Sequence, residues 1–71
     1  MNEYVVLRKI GSRIKTIRVS KKLTQNDLAN ECNFEKANLS RIESGQTNLT
    51  IRSLYKICTA LEINVDELFK E

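Results

Sequence analysis

The sequence predicts an all-α fold, arranged as a compact five-helix bundle. Apolar residues recur at helical spacing almost from one end to the other, the chain has no proline, and no segment alternates polar and apolar residues over the length of a strand. With 71 residues there is room for one modest hydrophobic core. We therefore expect a single domain over residues 1–71.

The first helix is predicted at about residues 4–21. Its inward stripe has spacings of four, four and three residues, at Val6, Ile10, Ile14 and Ile17. The start of this helix has two interpretations. Asn2 could cap it, or Gly11 and Ser12 could mark a break after an extended N-terminal arm.

Hydrophobic staples mark the other helices: an apolar residue precedes the N-cap and a second one follows four positions after the cap. The four staples are Leu23-Thr24 with Leu28, Phe34-Glu35 with Leu39, Leu49-Thr50 with Leu54, and Ile63-Asn64 with Leu68. Glu35 is a poor cap, whereas Asn64 is predicted to form a capping box with Glu67. These signals predict helices at about 25–32, 36–44, 51–61 and 65–70, with Gly45 ending the third helix in a left-handed conformation.

The second and third helices are predicted to cross at a tight corner, as in a helix-turn-helix. Asn33 tolerates the left-handed backbone of such a turn, and Ala29 is small enough for two helix axes to approach closely. Leu39 and Ile42 point inward on the third helix. The opposite arc is polar and basic, and it contains Lys36, Ala37, Ser40, Arg41 and Ser44, with Asn38 on its boundary. Such a face suits the major groove of double-stranded DNA.

Positive charge is concentrated at the N-terminal end. The net charge is +3, and seven of the 12 basic residues precede the helix-turn-helix, against the single acid Glu3. Taken alone, this cluster is an ordinary solvated helix face, but beside the third helix it favours a nucleic-acid partner. Lys36 opposes the dipole of its own helix by roughly 0.3–1 kcal/mol, which favours a role outside the fold.

Two further pairs of residues are predicted to lie inside the molecule. Arg18 borders the inward stripe of the first helix and Glu43 the inner margin of the third, so we predict a buried Arg18–Glu43 pair that joins these helices. Cys32 and Cys58 fall on apolar faces and are predicted to be reduced core residues. Two thiols without a histidine cannot supply four zinc ligands, so no metal or other cofactor is expected.

Composition argues against several functional classes. No apolar run approaches the roughly 20 residues of a membrane span, and the N-terminus lacks a signal-peptide pattern, so we expect a cytoplasmic protein with no membrane partner. The chain has no histidine, no nucleophile elbow, no glycine-rich phosphate loop and no metal-ligand set, which argues against an enzyme. No small-molecule ligand is expected in so small a domain.

From about Ile10 to Leu68 the chain resembles the Cro/CI-type (XRE) helix-turn-helix family of phage repressors and restriction–modification controller proteins. Three segments carry the resemblance, at residues 23–29 (LTQNDLA), 39–45 (LSRIESG) and 54–61 (LYKICTAL). It implies a lambda-repressor-like DNA-binding domain whose third helix enters the major groove. The positions that match base-reading residues of the family are Lys36, Ala37, Asn38 and Arg41.

A second group of residues is expected to contact DNA phosphates. Lys21 and Lys22 end the first helix near the path of the backbone. The resemblance adds Gln25, which it also places as a brace for Lys36, together with Ser44, Gln46 and Asn48. The expected set is completed by the hydroxyl residues Thr24 and Ser40. The chain departs from the family pattern at Lys22 and Asn33, where glycine is usual, at Leu49, where proline is frequent, and at Glu35, which replaces a serine or threonine cap.

The resemblance also implies a homodimer on a palindromic operator. The C-terminal segment carries more apolar surface than a short helix needs, and we assign its Ile63, Val65, Leu68 and Phe69 to a dimer interface, although core completion would explain any one of them. The expected function is that of a sequence-specific, double-stranded-DNA-binding transcriptional regulator. The alternative is an antitoxin-like protein-interaction module in which DNA binding is secondary or absent.

Overall fold

The computed structural model describes residues 2–70, and within them it contains four α-helices, a terminal 3₁₀ helix and no strand. The elements are α1 (Glu3–Ser20), α2 (Gln25–Cys32), α3 (Lys36–Glu43), α4 (Ile51–Leu61) and the 3₁₀ helix (Val65–Phe69). The all-helical prediction is confirmed. The count of five α-helices is not, because the segment predicted as the fifth is a 3₁₀ helix. The two ends of the predicted domain, residues 1 and 71, lie outside the described residues.

α1 is one continuous helix, so the alternative of an extended arm before Gly11 is wrong. The Oδ1 atom of Asn2 accepts a hydrogen bond from the Val5 N–H at 3.0 Å and caps the helix. Gly11 is buried where α1 crosses α3. A Cβ atom at this position would lie 2.6 Å from the Glu43 carbonyl oxygen and closer still to that of Ile42. Gly11 therefore permits the close approach of two helices.

The turn between α2 and α3 has the predicted left-handed residue, since Asn33 has a φ of 61°. A capping box begins α2: Thr24 Oγ1 accepts from the Asp27 N–H at 3.0 Å, and Asp27 Oδ2 accepts from the Thr24 N–H at 2.8 Å. The latter bond, assisted by the Thr24 hydroxyl, lowers the pKa of Asp27. At the start of α3, Glu35 makes no side-chain cap, and Gly45 ends that helix with a φ of 75°.

The 3₁₀ helix is attached to α1 by Arg13. Its Nε atom donates to the Glu67 carbonyl oxygen at 2.9 Å, and its Nη2 atom lies 3.9 Å from the Glu67 carboxylate. Lys70 donates to the same carboxylate at 2.9 Å and lowers its pKa. Because these bonds occupy Glu67 and Asn64 makes no side-chain cap, the predicted Asn64–Glu67 capping box is wrong.

The core lies between α1, α2, α3 and α4, and the 3₁₀ helix closes one end of it. Its fully buried members are Ile14, Leu28, Leu39, Ile57 and Leu61. Cys32 and Cys58 are free and buried, and burial raises the pKa of both thiols. Over residues 2–70, the helices lack the combination of length and apolarity that crossing a bilayer requires.

Candidate nucleic-acid interface

α3 turns one side to the core and the other to solvent. Leu39 is fully buried and Ile42 nearly so, and together they fix the rotation of the helix about its axis. The outer arc of the helix is exposed and consists of Lys36, Ala37, Ser40 and Arg41. Asn38, on the boundary between the two sides, is half-buried. Neither Lys36 nor Arg41 makes a hydrogen bond or ion pair with any of residues 2–70, so both cationic groups are available to a ligand.

The inner margin of α3 is held by an ion pair with α1. Arg18 Nε donates to Glu43 Oε2 at 2.7 Å and Arg18 Nη2 to Glu43 Oε1 at 3.1 Å, with 8% and 3% of the two side chains exposed. Arg18 Nη1 also donates to the Leu23 carbonyl oxygen at 2.7 Å. The guanidinium group therefore fixes the turn after α1 against the end of α3.

Gln25, the first residue of α2, joins the same carboxylate. Its Nε2 atom donates to Glu43 Oε1 at 3.0 Å. The resemblance suggested Lys36 as the partner of this side chain, but the partner is Glu43. The amide oxygen of Gln25 makes no hydrogen bond within residues 2–70. Sequence reasoning missed the Gln25–Glu43 bond, because no local signal couples positions 18 residues apart.

Five of the expected phosphate-contacting residues lie on two stretches, one between α1 and α2 and the other after α3. Lys21, Lys22 and Thr24 are exposed in the turn between α1 and α2, where Lys22 is left-handed with a φ of 61°. The stretch after α3 exposes Gln46 and Asn48.

The hydroxyl groups of Ser44 and Thr24 already have partners within the domain. Ser44 Oγ, in the cap of α3, already donates toward the carbonyl oxygens of Ser40 and Arg41, at 3.1 and 3.2 Å. It would have to rotate to donate to a phosphate. Thr24 Oγ1 accepts from the Asp27 N–H at 3.0 Å, and the same hydroxyl also helps to lower the pKa of the Asp27 carboxyl.

The four residues assigned to a dimer interface do not share one surface. Leu68 is 2% exposed and belongs to the core, so its assignment to an interface is wrong. Ile63 is half-buried against the core, whereas Val65 and Phe69 are exposed. At three residues per turn, Val65 and Phe69 point about 120° apart. Sequence reasoning missed two exposed apolar side chains on α4, Ile51 and Tyr55, whose spacing of four residues outside the buried stripe was the available signal.

Comparisons with known proteins agree with this geometry. The HTH_3 helix-turn-helix family model matches residues 14–68. The immunity repressor protein of Bacillus phage phi105 is 37% identical over 62 residues, which are 87% of this chain and 43% of the repressor. Control protein C.BamHI of Bacillus amyloliquefaciens is 34% identical over 82% of this chain and 73% of its own length. The chain thus spans less than half of the phage repressor.

A solved structure shares both the fold and part of the sequence. The restriction-modification controller protein C.AhdI from Aeromonas hydrophila superposes with a TM-score of 0.86 and 35% identity, over 89% of this chain and 96% of C.AhdI. The family match spans α2, α3 and the turn between them, which form the helix-turn-helix described above. This chain belongs to the HTH_3 (XRE) family of helix-turn-helix transcriptional regulators, the family of those repressors and controller proteins.

Proposed function

We propose that this chain is a sequence-specific regulator that binds a palindromic operator in double-stranded DNA as a homodimer, with α3 in the major groove. The observation that carries the proposal is the division of α3 into a fixed inner side and a free outer side. Leu39, Ile42 and the buried Arg18–Glu43 pair hold the helix. Lys36 and Arg41 on its outer side have no partner within residues 2–70, and a helix of this kind fits the major groove.

The outer side chains of α3 suit different base edges. Lys36 and Arg41 are donors for the O6 and N7 atoms of guanine, and Arg41 can engage both acceptors at once. Asn38 matches adenine, and the methyl group of Ala37 matches the methyl group of thymine. Asn38 is half-buried and short, so it would read a base only where α3 lies deep in the groove.

Phosphate contacts would set the depth and register of α3. Lys21 and Lys22 lie on one side of it in the chain and Gln46 and Asn48 on the other, and all four are exposed. Gln25 is held by Glu43 through its amide nitrogen. Because α2 begins at this residue, the unpaired backbone N–H groups at the start of α2 offer further donors to a phosphate. Contacts of this kind orient a protein on DNA without reading sequence.

A homodimer would use the exposed apolar residues of the last two helical elements. Ile51 and Tyr55 on α4 are 80% and 66% exposed, and Val65 on the 3₁₀ helix is 42% exposed. Burying them against a second copy would add apolar contact to a chain whose own core is small. A twofold dimer would present two α3 helices to half-sites about 34 Å apart, one helical turn of DNA.

Selection of bound fragments from random duplex DNA tests the proposal. The expected result is a palindrome whose half-site centres lie about 10 base pairs apart. Sedimentation of the complex should then show two protein chains on each duplex. A non-symmetric consensus would refute the dimer. Binding without any consensus would refute sequence-specific regulation and leave the chain as an interaction module.

A further inference from the structure

An open groove of 620 Å³ runs between α1 and the 3₁₀ helix, and none of the residues assigned to base or phosphate contacts lines it. Its apolar surface is formed by Val5, Val6 and Ile10 on one wall and by Leu68 and Phe69 on the other. Phe69 is 57% exposed, so its ring is available to a partner.

The polar lining of this groove is positively charged. Arg8, Lys9, Arg13 and Lys70 line it, and no acidic side chain does so among residues 2–70. The Glu67 carboxylate lies outside the lining and is shared between Lys70 and Arg13. A smaller cavity of 380 Å³ beside α4 is lined instead by two acids and one base, so the positive lining distinguishes the α1 groove.

This charge pattern selects among possible occupants. A second copy docked about a twofold axis would bring four cations against the same four cations, which like-charge repulsion opposes. A DNA backbone would match the positive charge of the groove but would leave the apolar walls and the Phe69 ring exposed to water. An occupant that satisfies both parts of the groove is negatively charged and has an apolar face.

The shape of the groove matches a helix. Val5, Lys9, Ser12 and Thr16 follow α1 at spacings of four, three and four residues and so form one stripe, which is about 16 Å long at 1.5 Å per residue. That is about the length of three helical turns. We propose that this groove docks an acidic amphipathic helix of a partner protein, packing the partner's apolar side chains on Val5, Ile10 and Phe69 and its carboxylates against Arg8 and Arg13.

The groove and the outer arc of α3 share no residue, although Arg8 of the groove lies against Gly45 at the end of α3. The inference goes beyond the proposed function and does not depend on it.

A displayed library of random 16-residue peptides, selected on the purified full chain, tests the inference. The expected winners are rich in Asp and Glu and have apolar residues at spacings of three and four. Ser12→Glu places a carboxylate on the stripe of α1. It should lower the affinity for the selected peptides by roughly tenfold or more through like-charge repulsion. Thr59→Glu adds the same negative charge to the exposed side of α4, outside the groove, and should leave the affinity of these peptides unchanged.

A second pair of variants keeps the test independent of folding. Phe69→Ala removes an exposed ring from the groove, whereas Tyr4→Ala removes an exposed ring that does not line it. Only Phe69→Ala should lower the affinity for the selected peptides. The docking inference is refuted if no peptide is enriched or if the selected peptides are neutral or basic. It is also refuted if their affinity is insensitive to Ser12→Glu and Phe69→Ala, or if duplex DNA displaces them. DNA affinity of the Ser12→Glu variant, measured separately, should equal that of the parent, which keeps this outcome distinct from failure of the regulator proposal.

Discussion

Arg18 and Glu43 join the first and third helices through two parallel hydrogen bonds, of 2.7 and 3.1 Å, at a site that is almost fully buried. Gln25 adds a third hydrogen bond, of 3.0 Å, to the same carboxylate. One acidic side chain thus fixes the relative positions of α1, α2 and α3. The position of α3 depends on this carboxylate as well as on apolar packing.

Arg18→Ala is expected to lower the free energy of unfolding by about 3–5 kcal/mol, because it leaves the buried Glu43 carboxylate without its cation. Urea denaturation of the two proteins measures the difference. Lys15→Ala changes an exposed base on the same helix and should shift the free energy by less than about 0.5 kcal/mol. Equal stability of the Arg18 variant and the parent would show that the pair does not support the fold.

Gly11→Ala is expected to destabilise the protein, by about 1–3 kcal/mol, although alanine is the better helix former. The added Cβ atom would collide with the carbonyl oxygens of Ile42 and Glu43, which belong to backbone and cannot rotate away. Thr16→Ala, at an exposed site of the same helix, should leave stability unchanged or raise it slightly. A rise in melting temperature for the Gly11 variant would show that the two helices are not in close contact there.

Lys22→Gly is expected to separate stability from DNA binding. Lys22 and Glu62 are both left-handed, with φ values of 61° and 58°, a conformation that costs a residue with a Cβ atom about 1 kcal/mol. Glycine removes this strain at either site, and the entropy that it adds to the unfolded chain offsets part of the gain. Thermal melting should therefore show a modest rise in stability for both Lys22→Gly and Glu62→Gly. Only Lys22→Gly should weaken DNA binding, since Glu62 lies outside the proposed interface. Equal DNA affinity for the two variants would remove Lys22 from that interface.

Arg41→Ala is expected to lower operator affinity by about 1–3 kcal/mol for each half-site and to relax the preference at one base position in each. Gln46→Ala and Lys21→Ala should weaken binding evenly across sequences. If each subunit contacts about 4–6 phosphates, log K should fall with log salt by about 0.9 per phosphate. Lys21→Ala removes one contact from each of the two subunits and should reduce this slope by about two units. Titration of operator and scrambled duplexes at several salt concentrations measures all three variants. An even loss for Arg41→Ala would reassign that residue to the backbone.

Stability is expected to fall as pH rises above about 9, through the two buried thiols. Burial raises the pKa of Cys32 and Cys58 above the ordinary value of 9.0, so the folded state keeps protons that the unfolded state releases. Their contribution is complete below the unfolded pKa and is lost above it, at no more than about 1.4 kcal/mol per pH unit for each thiol. Urea denaturation between pH 8 and 10 measures the slope. The double variant Cys32→Ala and Cys58→Ala should show a flatter slope, and an unchanged slope would assign the effect to other groups.

The elements that local chemistry marks were predictable from sequence. α2 and α4 begin and end at the predicted residues because a staple and a Thr cap mark each start, and Asn33 and Gly45 have the left-handed backbone expected of them. On α3, the apolar positions Leu39 and Ile42 determine which residues face outward, so the outer arc was predictable as well. Each of these inferences uses residues within one or two helical turns of each other.

The features that sequence reasoning missed depend on contacts between distant residues. Gly11 resembled a helix break because its neighbour across the interface, the α3 backbone, is 31 or more positions away. The segment from Val65 has apolar residues at spacings that suit an α-helix or a 3₁₀ helix. No local pattern reveals that Arg13, 54 positions away, donates to the Glu67 carbonyl oxygen. Leu68 could equally have completed the core or formed an interface, and only its packing decides between them.

The freedom of Lys36 and Arg41 from internal partners has a consequence for how operator preference can diverge. Because Lys36, Ala37 and Arg41 contribute little to holding the domain together, mutations at these sites should escape the stability threshold that constrains Arg18, Gly11 or Leu39. Relatives with this scaffold could therefore acquire new target sequences through single substitutions, each tolerated as soon as it arises. A combinatorial library at those three sites would make the same scaffold a source of repressors with chosen specificities.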